Sequence, residues 1–450
     1  MIVMKFGGTS VANCEAVSRM ISIVEGRISE RPVVVVSALS KVTDLLYRLA
    51  DAAAASDREA VDEMLVELRE RHLNLAEQLL EDHNDKYSEA KKCIDGICDS
   101  LASFVGAVCS LGELTPRSKA KIISNGEWLS SNIICYAMNA RGIRTGFVDA
   151  RNIMITSNDY LKGEPVISEI QKRAPEEIGK AYEGKDAVIT QGFISSSENG
   201  EPTVLGRGGS DYSASLIGMA MDATRIEIWT DVDGVRTADP RVVENTRSIE
   251  KISFEEAAEM AHFGAKVLHP LTIEPAVMKN IPVYVLNSMN PSGKGTAILK
   301  DEFIKDGVKS VSFKENILLL NIFSTRMINV SGFLQKVFAI FSKYKVSVDL
   351  ISTSAANISL TMDGNQNINR VVEELSEFAQ VDVDRDKSQI SVIGKNIGNL
   401  KGVLKQTMAS LSGCNVYMIS QGASFVNISF VVDRSSLREA VNATHNCLFE

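Results

Sequence analysis

Four stretches of the chain combine residue types that handle phosphate and small charged ligands. In Lys5-Phe6-Gly7-Gly8-Thr9-Ser10 an apolar run ends in two glycines, and a helix is expected from about Asn13. Glycines let backbone N–H groups approach an anion, a following helix start favours it, and the Lys5 ammonium adds a point charge. A second cluster, Leu205-Gly206-Arg207-Gly208-Gly209-Ser210-Asp211, again leads into helical spacing over 212–221. Two such turns in one sheet point to an anion cradle more strongly than either alone. Arg207 suits a bidentate grip on a carboxylate, whereas Ser210 and Asp211 equally suit helix capping. The polar segment 229–241 follows a buried strand, where α/β folds gather ligands, but it also reads as an Asp-Gly turn followed by an Asp-Pro turn. Ser124-Asn125-Gly126-Glu127 puts a carboxylate at a helix start, where dipole pairing is the plainer reading. The spacings GxxxxGK[ST] and GxGxxG occur nowhere.

The elements that must position these residues are short apolar runs at 2–6, 33–37, 145–149, 187–191, 225–230 and 282–286. Four consecutive valines, Val33 to Val36, suit a strand buried on both faces, as in a parallel sheet covered by helices. The fold class is α/β. Residues 44–142 carry Ala, Leu, Glu, Lys and Arg at helical spacing and form a helical layer whose mixed charge is a solvated face.

Beyond residue 295 the pattern turns to short strands and single helices, and a faint repeat appears. Val348-Asp349-Leu350-Ile351-Ser352 answers to Val416-Tyr417-Met418-Ile419-Ser420, 68 residues later, and Asn357-Ile358-Ser359 to Asn427-Ile428-Ser429, 70 later. Amphipathic helices over 333–344 and 400–411 precede the two copies, which read as two small βαβ-type units in tandem.

The chain has 450 residues, three domains at about 150 each. Its 48 basic and 57 acidic residues leave a net charge of −9, which argues against nucleic acid as a partner. Seven scattered cysteines without a CxxC pair suggest neither a disulfide framework nor a zinc site. No uninterrupted apolar run reaches the ~18 residues of a membrane span, and no signal-peptide pattern follows Met1. A soluble, cytoplasmic protein is expected.

Taken together, these stretches resemble the aspartokinases of the amino acid kinase family. KFGGTS (5–10), SNGE (124–127), ITQGFI (189–194), LGRGGSDYSA (205–214), WTDVDGVRTADPRVV (229–243) and FGAKVLHP (263–270) match in order and spacing, and 347–354 resembles the first of tandem ACT domains of the lysine-sensitive monofunctional type. The resemblance implies a three-layer αβα catalytic domain with a mainly parallel sheet over 1–295. Two ferredoxin-like ACT domains would follow over 305–388 and 389–450, with interleaving of the two left open. It implies phosphorylation of the β-carboxylate of L-aspartate by ATP, the first step toward lysine, threonine, methionine and diaminopimelate.

Carried over residue by residue, Lys5 stabilises the transferring phosphoryl, and Asp211 orients Lys5. Arg207 holds the α-carboxylate of aspartate, Glu127 its α-ammonium, and Thr43 adds a hydroxyl. Lys5, Gly7, Gly8, Thr230, Asp231, Arg236, Arg241, Lys266 and Val267 match nucleotide-contacting positions, with Mg²⁺ arriving on ATP and no dedicated metal site. Met327, Val330, Ser331, Gly332, Phe333, Ser347, Val348, Asp349, Thr353 and Ser354 match effector-contacting positions, with Asp349 as partner for an effector ammonium. A homodimer through ACT domains is implied, with a tetramer left open.

The sequence departs from the family at four places. Lys41 replaces a usual glycine, Arg236 an aromatic residue, Val330 a small polar residue, and Ala355 a glutamate whose loss would weaken the grip on a cationic effector. The alternatives are an amino acid kinase with another acceptor (glutamate, carbamate or UMP), and a non-catalytic amino-acid sensor.

Overall fold

The computed structural model describes the chain apart from residues 265–269 and 329–330. The expectations for Lys266, Val267 and Val330 therefore lie outside the described residues. The chain divides into two compact units, Met1–Val235 with Leu268–Lys300, and Arg236–Val267 with Asp301–Glu450.

The first unit opens with β1 (Ile2–Phe6), α1 (Cys14–Glu25) and β2 (Pro32–Val36). Five helices follow: α2 (Val42–Ala54), α3 (Arg58–Leu79), α4 (Asn84–Leu111), α5 (Pro116–Ile123) and α6 (Asn125–Ala140). Next come β3 (Thr145–Val148), α7 (Ala150–Ile153), β4 (Ile155–Thr156), α8 (Ile167–Ala181), β5 (Ala187–Gln191), β6 (Ile194–Ser197), β7 (Pro202–Val204), α9 (Gly209–Ala220) and β8 (Arg225–Thr230). After β9 (Lys251–Ser253) and α10 (Phe254–His262), which belong to the second unit, α11 (Pro270–Lys279), β10 (Val283–Asn287) and β11 (Thr296–Leu299) complete the first.

Seven strands of the first unit run in the order β3-β5-β2-β1-β8-β10-β11. All neighbours are parallel except the last pair. Every residue of β1, β2 and β5 is buried, the two-faced burial that the valine run predicts. Helices α8, α9 and α11 cover one face, while α6, backed by α2, α3 and α4, covers the other. This is a three-layer αβα sandwich, and a small β4-β6-β7 sheet stands beside it.

Among the described residues, one helix, α4, is long and apolar enough to cross a membrane by length and composition. Its buried residues Ala90, Ile94, Cys98, Leu101, Val105 and Val108 recur at helical spacing and join the core of this unit. Asp95 and Asp99 break the apolar stretch, and both pair with Arg69 of α3.

The second unit continues with β12 (Gly307–Phe323), α12 (Phe333–Lys343), β13 (Ile351–Thr353), β14 (Asn357–Asp363), α13 (Asn369–Ser376), β15 (Gln380–Lys395), α14 (Val403–Ser410), β16 (Val416–Gln421), β17 (Asn427–Asp433) and α15 (Leu437–Phe449). They build one antiparallel sheet, β13-β14-β12-β15-β17-β16. The long central strands β12 and β15 pair with each other and serve two cores. Leu318, Leu320 and Ile322 pack with α12 and α13, whereas Val311, Ile390 and Val392 pack with α14 and α15. The register of β12 slips between Lys314 and Ile317 and again before Leu319, between the two cores.

The repeat holds in β14 and β17, which span matching residues 70 apart. It fails for the strand expected at 348–352: the ladder begins only at Ile351, while Asp349 and Leu350 are irregular. The reason is local. Asp349 and Leu350 both stand opposite Thr361: the Asp349 N–H donates to the Thr361 carbonyl (2.8 Å), the Thr361 N–H to the Leu350 carbonyl (3.0 Å), and the extra Leu350 N–H to the Thr361 hydroxyl (3.0 Å), a bulge that breaks the register.

Candidate active site

The strands β1, β2, β5 and β8 end at one edge of the parallel sheet, and backbone hydrogen bonds lace their exits together. Gly7 N–H donates to the Trp229 carbonyl (3.1 Å), Ser37 N–H to that of Phe6 (3.1 Å), and Gly192 N–H to that of Val36 (2.9 Å). A cavity of about 510 Å³ lies there, lined among others by Lys5, Gly8, Thr43, Glu127, Arg207 and Asp211. Residues separated by up to 206 positions in the sequence thus share one chamber at the carboxyl ends of strands, the usual ligand position in open α/β sheets.

Lys5 is nearly buried, and its Nζ lies 2.5 Å from Oδ1 of Asp211. The capping alternative for Ser210 and Asp211 is set aside: the N-cap of α9 is Gly208, and Asp211 stands in the first turn facing Lys5. Arg207 is exposed between Gly206 (φ 75) and Gly208 (φ 72). Two left-handed residues in three reverse the chain tightly enough to hold the guanidinium over the cavity, a backbone that glycine adopts without strain. Gly7 and Gly8 are tight rather than twisted, since an added Cβ would lie 3.4 Å from Lys5 Nζ and 3.2 Å from the Ala38 carbonyl respectively. Asn13 caps α1 through the Ala16 N–H at 2.9 Å, as expected of a helix starting there.

Glu127 is the most perturbed group at the site. It is 3 % exposed, and its Oε2 has no hydrogen-bond partner among the described residues. Burial pushes its carboxyl up to about 8, against the lowering effect of the Ala38 and Glu127 backbone N–H groups. A buried acid with an unpartnered oxygen facing a cavity is suited to receive a cation. Thr43, half-buried in the first turn of α2, adds its hydroxyl.

The remaining nucleotide expectations are spread out. Thr230 ends β8 and Asp231 follows it, the Thr230 hydroxyl donating to Asp231 Oδ1 (3.2 Å). Arg236 and Arg241 belong to the second unit. There the Arg236 guanidinium donates to the hydroxyl (2.7 Å) and carbonyl (2.9 Å) of Thr246, and Arg241 is held by Asp239.

Lys41, which the sequence marked as standing where the family has glycine, lines the cavity, as does Phe193, which sequence reasoning did not single out; they carry positive φ of 65° and 66°. Non-glycine residues in the left-handed region cost of order 1–3 kcal/mol and gather at functional sites.

The expected effector residues lie in the second unit. Met327, Phe333 and Val348 pack on its first core, Gly332 (φ 87) caps α12, and Ser331, Ser347, Thr353 and Ser354 are exposed. The Ser347 backbone is taken by Gln366, which sequence reasoning missed. Asp349 has partners in the chain itself, Lys314 Nζ at 2.8 Å and His262 Nε2 at 3.4 Å. Burial would raise its pKa, yet His262 and Lys314 together hold it below the usual carboxylate range.

The amino acid kinase family model matches residues 1–287, and an ACT domain model matches 390–448. The lysine-sensitive aspartokinase 3 of Escherichia coli is 35% identical over 460 residues, spanning 100% of this chain and 99% of that one. The chain belongs to the aspartokinases. Among solved structures, this aspartokinase resembles E. coli aspartokinase III in complex with aspartate and ADP (R-state), with TM-score 0.86, 34% identity and 100% of both chains covered. It also resembles the same protein in complex with lysine and aspartate (T-state), with TM-score 0.81, 34% identity and both chains again covered in full. Its C-terminal unit thus contains the ACT domains of an aspartokinase, and its parallel sheet the kinase fold.

Proposed function

We propose that the enzyme transfers the γ-phosphoryl of ATP to the β-carboxylate of L-aspartate, giving 4-phospho-L-aspartate. One observation carries the reading: a single cavity gathers the Lys5–Asp211 pair, the exposed guanidinium of Arg207 and the buried Glu127, whose Oε2 has no hydrogen-bond partner among the described residues. A zwitterionic amino acid needs a cation for its α-carboxylate and an anion for its α-ammonium, and Arg207 and Glu127 supply them. The side-chain carboxylate, with an ordinary pKa of ~3.9, is already a nucleophile at neutral pH and requires no general base. What phosphoryl transfer requires is positive charge and N–H donors around two mutually repelling anions. Lys5, oriented by Asp211 and flanked by Gly7 and Gly8, provides both. Thr43 completes the substrate pocket, and Thr230, Asp231, Arg236, Arg241, Lys266 and Val267 are assigned to the nucleotide. Mg²⁺ bound to ATP neutralises phosphate charge.

The reaction opens the aspartate family of amino acids, in the cytoplasm, with lysine as feedback effector at the first ACT domain (305–388) through the residues named above. The lysine complex of the E. coli relative supports that assignment. Assembly is a homodimer through ACT domains. The edge strands β13 and β16 support it, exposing Ile351 (48%), Tyr417 (47%) and Ile419 (42%), since unpaired apolar edges invite pairing.

The test is ADP release from MgATP with and without L-aspartate, repeated with glutamate as acceptor and with lysine added. Aspartate-dependent release that Lys5→Ala abolishes supports the kinase. Lysine binding without any turnover supports the sensor alternative instead.

A further inference from the structure

A second cavity, of about 710 Å³, lies in the first unit among α4, α5, α6 and the β6–β7 hairpin. Its volume falls within the range of small-molecule sites, and none of the catalytic residues lines it. No carboxylate lines it either, whereas Lys92, Arg117, Lys121 and Arg151 all do. Arg151 is fixed by Asp149 and lies 4.3 Å over the half-buried Trp128 ring, and Arg117 pairs with Glu201 at 2.9 Å. Lys92 and Lys121 have no carboxylate partner among the described residues, and Lys121 Nζ instead lies 4.2 Å over the Phe104 ring. Cations converging on aromatic walls repel one another until an anion joins them.

We propose that this cavity is a second ligand site, for an organic anion with a flat apolar body. The anionic group sits against Lys92 and Lys121, and the body lies along Phe104 and Trp128. Its occupant is coupled to the catalytic cavity by chain continuity. Trp128 follows Glu127, so neighbouring residues of α6 line different chambers. The Lys121 carbonyl, in turn, anchors the start of that helix, accepting from Ser124 Oγ (3.0 Å) and Asn125 Nδ2 (2.8 Å). A ligand that draws in Lys121 or Trp128 therefore shifts Glu127, and aspartate KM should change more than kcat. This coupling rests on the proposed reaction; binding itself does not.

The test titrates the full chain, saturated with MgADP, with 1-naphthyl phosphate, following heat and tryptophan emission. Saturable binding that weakens about tenfold or more in the Lys92→Glu/Lys121→Glu variant, and is absent with neutral 1-naphthol, supports the site. The variant changes two exposed side chains, and its circular dichroism should match the parent. Equal affinity in parent and variant, equal affinity for 1-naphthol, or binding seen only without MgADP would each overturn the proposal. Binding with an unchanged aspartate KM in an active enzyme refutes the coupling alone, and an inactive parent enzyme refutes the reaction instead.

Discussion

The ammonium of Lys314 lies 2.8 Å from Asp349 Oδ2, so the acid assigned to an effector already holds an amine from its own chain. An amino-acid effector that uses Asp349 must displace or share Lys314. Lys314→Met should tighten lysine binding about tenfold, the worth of one charge-assisted hydrogen bond. It should also cost the second unit about 3 kcal/mol by leaving a buried carboxylate with His262 alone. Isothermal titration and thermal unfolding read the two effects. Unchanged lysine affinity would remove Asp349 from the effector site.

Lys5→Ala should lower kcat roughly a hundred- to a thousandfold, as loss of one preorganised donor to developing charge does elsewhere. Asp211→Asn should lower kcat less, because the ammonium remains but loses its orienting partner. Rapid-quench measurement of phosphoryl transfer checks both. Equal, small effects would mean that the pair only fastens α9 to β1.

Glu127, with its carboxyl near 8, carries a proton at neutral pH in the free enzyme. Seating an ammonium against it expels that proton, so aspartate binding at pH 7 should release up to one H⁺, and aspartate KM should fall as pH rises toward 8. Calorimetry in buffers of different ionisation heat measures the release, which Glu127→Gln should abolish while raising KM roughly ten- to a hundredfold. Stability follows with a definite sign. Between about 4.5 and 8 the folded chain keeps a proton that the unfolded chain has lost, so this group makes stability fall as pH rises through that window. Glu127→Gln should flatten that slope.

Lys41, at φ 65°, holds a conformation that glycine adopts freely. Lys41→Gly should stabilise the first unit by about 0.5–1 kcal/mol, the relief of strain less the added freedom of the unfolded chain. A concurrent rise in KM for aspartate or ATP would show that the lysine serves the cavity. Lower stability would show that its side chain is a structural tie.

The parallel sheet was legible because burial on both faces leaves uninterrupted runs: Ala187–Gln191 and Arg225–Thr230 were read to the residue. The cradle at Lys5 and Arg207 was legible as two glycine turns, since close backbone approach demands that residue type. Asp349 was not. Its strand-like neighbours gave no hint of a bulge opposite Thr361, nor that Lys314, 35 residues upstream, would reach it. The left-handed backbone at Phe193 was equally silent, because local propensity argues against it and only tertiary packing enforces it, whereas at Lys41 the glycine usual in the family was a hint. Nor does any change in composition announce that residues 236–267 fold with the C-terminal segment.

The register slips of β12 between Lys314 and Leu319 give the ribbon formed with β15 a crease. A further irregularity falls between Val308 and Ser310, so the ladder is regular over Ser310–Lys314 and over Leu319–Phe323, and each of those stretches packs on its own core. Lys314 stands on that fold line, tied to Asp349 like a stay on a hinge. An amine that takes over Asp349 would therefore do more than fill a pocket: it would unfasten the stay at that crease.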